Sequence, residues 1–229
     1  MSSVIRIHLS VSPEQGQRLL ALQQGFARLC NALSPIVQQT RIWNRVALHH
    51  LAYKQLRASF PEMGSQMVCN AIYSVSRTCR VVFQSPQSPL HLDKLAGQPL
   101  PLLRFADNCP VYFDRHTLSL KKGQLSMFTL DGRMRFQLAL DAEVEARFKQ
   151  QKLREIVLSR AADGAFWLAF WLVDLDGSTE SAEAAQLTQS TGGANSATGA
   201  NTAVGAESGI FSSLDNGEIP EYVIVENAV

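Results

Sequence analysis

The chain has 229 residues, 46% hydrophobic and 18% charged, and no apolar run near the roughly 20 residues a bilayer span needs. Its net charge of +1 hides a segregation: residues 1–173 hold all 21 Lys and Arg against 11 acids, and residues 174–229 hold nine acids without a Lys or Arg. This excludes a membrane-spanning helix and implies a nucleic-acid-binding body with an acidic tail, the plainer alternative being a basic domain that its tail keeps soluble.

Residues 4–11 (VIRIHLSV) alternate apolar and polar positions, which predicts a half-buried strand. Ser12 and Pro13 suit a helix start, and Leu19, Leu22, Phe26, Leu29 and Leu33 form one apolar stripe after it. Ser34-Pro35 is expected to break this helix. A second helix is then expected over 36–60, with Val37, Thr40, Asn44, Ala47, Leu48, Leu51 and Leu56 inward and Pro61 at its end. A third helix is expected over 65–83, buried through Val68, Ala71, Ile72, Val75, Cys79 and Val82. Residues 84–101 are a Pro-rich connector.

Beyond residue 101 the period changes to two. Strands are expected near 102–106, 110–114, 117–121, 124–130 and 133–140, with turns at Lys122-Gly123 and Asp131-Gly132. A short helix fits 141–150, and two more strands fit 153–161 and 165–173. From about 176 to 209 the composition is too poor in large apolar side chains to offset chain entropy, so disorder is expected. The final EYVIVENAV is short and apolar and could add as a strand.

Between residues 15 and 92 stand eight basic residues and one acid, Glu62. Solvated helices ordinarily mix both signs, so this imbalance suits a phosphate backbone. On the third helix Gln66, Asn70, Tyr73, Arg77 and Arg80 follow 4-3-4-3 spacing and would line one face. Amides there can read base edges, the aromatic can stack, and the arginines can grip phosphate or guanine. An ordinary solvated face is the alternative.

Arg28 adds to the first helix's charge. Arg41, Arg45 and His49 are spaced to share a face of the second helix, extended by Lys54 and Arg57. They suit backbone clamping, or a charged exterior whose stems cover apolar surface. In the β block, Lys121 and Lys122 mark a hairpin tip, and Arg133 and Arg135 alternate onto one strand face. They read as a patch for structured RNA or a duplex, or as edge charges that prevent aggregation.

The cysteines Cys30, Cys69, Cys79 and Cys109 form no two-residue-spaced pair, so reduced thiols rather than a zinc site are expected. The histidines lack ligand spacing. Asp174 and Asp176 follow a strand, but lack the further carboxylates a two-metal site needs. No catalytic residue, metal or cofactor is therefore expected, and the compartment is expected to be the cytoplasm: MSSVIRIHLSVSPEQ has no long apolar signal core.

Several segments in order resemble the TnpB family, RNA-guided nucleases of insertion sequences related to type V CRISPR effectors. SPEQGQRLLALQQGFARLCNAL resembles the family's Pro-x-x-Gln start and its Arg-x-x-aromatic-Asn signature, here Arg28, Cys30 and Asn31, with each spacing one residue shorter and Cys30 in the aromatic position. LAYKQLRASFPEMGSQ resembles the approach to a Ser-Gln helix, and GSQMVCNAIYSVSRTCRVVF that helix. PVYFDRHTLSLKKGQLSMFTLDGRMRFQLAL and LREIVLSRAADGAFWLAFWLV resemble the strands preceding the nuclease domain.

The resemblance covers about residues 4–173. It implies an α+β fold: a small antiparallel wedge-like β-barrel (1–12 and 100–173), interrupted after its first strand by a three-helix recognition lobe with its connector (13–99). The disordered acidic tail (174–229) stands where the family has a RuvC-like nuclease domain with three separated acidic residues and a zinc-binding insertion. The implied function is non-catalytic recognition: guide-type RNA near Lys121, Lys122, Arg133 and Arg135, and double-stranded target DNA near Gln66, Asn70, Tyr73 and Arg77. A separate nuclease or effector subunit is a possible partner. A protein-only DNA-binding regulator and a truncated transposon-encoded nuclease remnant remain alternatives.

Overall fold

The computed structural model describes residues 2–174 and 218–226. Strand β1 (Ser2–Leu9) leads into helix α1 (Pro13–Thr40). Ser12 caps α1 through a reciprocal box: its hydroxyl accepts the Gln15 N–H, and the Gln15 side chain accepts the Ser12 N–H. The expected stripe of α1 is fully buried.

Contrary to expectation, Pro35 does not end α1. It sits on the exposed side while Leu33, Ser34 and Val37 are buried around it, so packing holds the helix despite one missing backbone donor. The helix stops at Arg41, which is left-handed (φ 54°) and donates its N–H to the Val37 carbonyl. Helix α2 (Arg45–Ser59) then starts afresh, capped by Asn44, whose side chain accepts from the Val46 and Ala47 N–H groups.

That break resets the helical phase. Leu48 and Leu56 are buried as expected, but Thr40, Asn44, Ala47 and Leu51 face solvent. After a 3-10 turn (Pro61–Met63), α3 (Gly64–Gln84) buries every one of its six expected core residues. A one-turn helix α4 (Leu92–Leu95) interrupts the connector.

Next come β2 (Leu102–Phe105), β3 (Val111–Phe113), β4 (Leu118–Lys121), β5 (Gln124–Thr129), β6 (Gly132–Gln137), α5 (Ala142–Gln150), β7 (Gln151–Arg160) and β8 (Phe166–Asp174). The C-terminal β9 (Val223–Glu226) lies in the region read as tail. The strands form three antiparallel sheets in the orders β1-β8-β7-β3, β4-β5-β6 and β2-β9. The fold is thus α+β, with α1 to α4 inserted after the first strand and α5 between β6 and β7. Among the described residues none of the sheets closes, so the expected barrel is corrected to three open sheets sharing one hydrophobic core with α1 and α3.

Residues 218–226 are described and ordered against the body. Tyr222 stacks on Phe105, Val223 is buried, and Glu226 pairs with Arg104 at 3.1 Å. The expectation of disorder over 176–209 lies outside the described residues.

Candidate nucleic-acid interface

The β4-β5-β6 meander sorts its side chains by alternation. Leu118, Leu125, Met127, Met134 and Phe136 are buried. Register places the opposite set together: Ser119 beside Ser126 and Arg135, Lys121 beside Gln124 and Gln137, and Phe128 beside Arg133. This second face carries amides, hydroxyls, one aromatic and three cations, without a carboxylate.

Lys122 (φ 50°) and Gly123 (φ 73°) make the tight turn at its tip, so the expected turn is found there. A Cβ on Gly123 would stand 2.9 Å from the Leu138 carbonyl oxygen, which requires glycine. Arg133 is pre-oriented: its guanidinium donates to Ser126 Oγ (2.9 Å), the Ser126 carbonyl (2.8 Å) and the His116 carbonyl (3.3 Å). Asp131 does not neutralise this face. It accepts from Thr129 Oγ1 and from Arg18, and these bonds hold its carboxyl below the usual range.

The face abuts the start of α3. A Cβ added to Gly64 would stand 3.6 Å from Cε2 of Phe128, and Phe128 is the register partner of Arg133. The half-buried Gln66 follows two residues later.

Two further members of the α3 stripe, Asn70 and Arg77, turn into the protein rather than outward. Asn70 is only 6% exposed and donates to the Tyr112 carbonyl at 3.0 Å. Arg77 donates to the Tyr73 hydroxyl (3.2 Å) and to Glu155 (3.3 and 3.4 Å). Tyr73 meets Tyr112 edge-on and lies under the Arg45 guanidinium, 5.1 Å away. Arg80 is half-buried. The physical reason is that α3 is enclosed twice: α1 and α2 cover its apolar side, and β3 and β7 meet the side expected to face outward.

The second-helix face is also corrected. Arg41 ends α1 and donates to the Gln98 carbonyl, so it is not in line with Arg45 and His49. His49 stacks on Tyr53 at 4.6 Å; burial first, then His50 and Arg45, hold its pKa below the usual histidine range. Arg28 and Lys54 are exposed, on α1 and α2, and Arg57 is half-buried.

Cys30, Cys79 and Cys109 are buried and Cys69 is half-buried, all as free thiols. Burial pushes the Cys30, Cys79 and Cys69 thiols above the ordinary range. Asp174 ends β8 and accepts from Gln151 at 2.7 Å; Asp176 lies outside the described residues.

Sequence reasoning missed Glu155. The signal was a single carboxylate next to the apolar run Ile156-Val157-Leu158, a setting in which burial demands a cation. It also missed Ser119, Gln124, Ser126 and Gln137, whose part emerges only from cross-strand register. Among the described residues, no group of three or more His, Cys, Asp or Glu is placed to hold a metal ion, and no helix is long and apolar enough to cross a membrane. No protein-family model matches the chain, and no curated protein shows significant similarity to it.

Proposed function

We propose that the chain binds nucleic acid without cleaving it, as the recognition part of an RNA-guided complex. The observation that carries this is the carboxylate-free face of β4-β5-β6. Three cations stand there among hydroxyl and amide groups, with Lys122 at the tip. Such a surface contacts phosphates through its cations and sugars or bases through its neutral donors and acceptors. The order of elements, a strand, a helical insertion and then a β block, accords with the resemblance to the TnpB family.

RNA is the ligand assigned to the sheet face. Duplex DNA is assigned to the adjoining start of α3 at Gln66, with the exposed cations of α1 and α2 as further contacts. The regulator that inserts α3 into a DNA groove is less well supported, because Asn70 and Arg77 are engaged within the protein. Sequencing of RNA co-purified with the chain tests the proposal. One enriched small RNA species is expected; bulk degraded RNA alone would contradict the guide assignment.

A further inference from the structure

The four-stranded sheet has a second polar and aromatic surface. One face of it, through Ile5, Phe113, Ile156, Leu168 and Phe170, is core. On the opposite face, register aligns Val4–Trp171–Glu155, Arg6–Ala169–Val157–Tyr112 and His8–Trp167–Ser159.

α3 packs over the Tyr112 side, where Tyr112, Glu155 and Val157 are buried. Cover fades across the sheet. Ala169 and Trp171 are half-buried, Arg6 and His8 are exposed, and Trp167 is 38% exposed. The His8 ring stands 5.1 Å from the Trp167 indole at 63°, so it holds the indole without stacking on it. The carboxylate in these rows, Glu155, is already bound to Arg77.

We propose that this open half-face binds unpaired nucleotides, a base stacking on Trp167 and a phosphate meeting Arg6. The proposal rests on the nucleic-acid reading above and adds to it a base-contacting site away from the β4-β5-β6 face. An exposed indole is an apolar liability in water, and a nucleobase covers it while tolerating any sequence. Positive charge with no unpaired carboxylate in these rows favours a polyanion over an acidic or neutral protein surface.

The test uses the full chain with four probes: oligo(U), oligo(dT), an abasic oligonucleotide of equal length and a short duplex. Binding is read by anisotropy and by tryptophan fluorescence. Trp167→Ala is expected to weaken oligo(U) and oligo(dT) binding about tenfold and to leave abasic and duplex binding unchanged. Trp167→Phe is expected to restore most of the loss, and the wild-type indole fluorescence is expected to quench on binding.

Equal oligo(U) affinity for wild type and Trp167→Ala, with all probes still bound, would overturn this proposal alone. Failure of wild type to bind any probe would overturn the nucleic-acid reading and this proposal with it. A wild-type dimer that Trp167→Ala converts to monomer would assign the face to a second copy and overturn the proposal.

Discussion

Arg77 of α3 and Glu155 of β7 form an ion pair of 3.3 Å, with side-chain exposures of 19% and 7%. The pair joins the helical insertion to the four-stranded sheet, and Arg77 also engages the Tyr73 hydroxyl. A buried pair contributes little relative to an apolar replacement, but removing one partner leaves an uncompensated charge. Arg77→Ala is expected to destabilise the fold by about 3 kcal/mol. The Arg77→Met/Glu155→Leu double variant should lose clearly less than the sum of Arg77→Met and Glu155→Leu. Urea denaturation of the cycle checks this; additive losses would show that the two side chains are not coupled.

Asn70 and Gln66 make a contrasting pair on the same helix. Asn70 satisfies the Tyr112 carbonyl from a buried position, so Asn70→Ala is expected to cost about 1–3 kcal/mol. Gln66→Ala should leave stability within about 0.5 kcal/mol and weaken duplex binding instead. Thermal melts together with DNA titrations distinguish these outcomes.

Much of the fold was legible in the sequence. Strong periodicity located α3, the Ser12 cap located the start of α1, and the β block followed its alternation and turn residues. Two boundaries failed for physical reasons. Pro35 ended no helix because tertiary burial outweighed its local penalty, and Asn44, a good N-cap residue within the expected second helix, was the signal for the true restart. The stripe on α3 was correctly phased, but its Asn70 and Arg77 meet the sheet instead of solvent. Periodicity tells which residues share a face, not which sheet covers that face, and the cover came from residues about 40 to 80 positions later. That Lys121, Arg133 and Arg135 share one sheet face was legible because turn chemistry and alternation are local.

The C-terminal strand is expected to be structural. Deleting residues 218–229 uncovers Phe105 and removes the stacked Tyr222, the buried Val223 and the backbone ladder to β2. Burial of one large apolar side chain contributes about 1.5–3 kcal/mol, so a fall of several degrees in Tm is expected. An unchanged melt would show that β9 adds nothing to the body.

Arg18 and Asp131 link α1 to the β5-β6 turn at 2.8 Å. The Thr129 hydroxyl and Arg18 place the Asp131 pKa below its unfolded value. Its contribution is therefore present above the unfolded carboxylate pKa and is lost as pH falls through the folded one. Asp131→Asn should lower Tm at neutral pH, and the gap to wild type should narrow below about pH 4. A gap independent of pH would assign the effect to something other than ionisation.

If the β4-β5-β6 face contacts phosphates, RNA affinity must carry their signature in its salt dependence. The slope of log affinity against log salt changes by about 0.7 per phosphate contact on a single strand. Arg133→Ala/Arg135→Ala is expected to flatten that slope by up to about 1.4 while Tm holds within a few degrees. An unaltered slope with both guanidiniums gone would place the phosphates elsewhere and contradict the account.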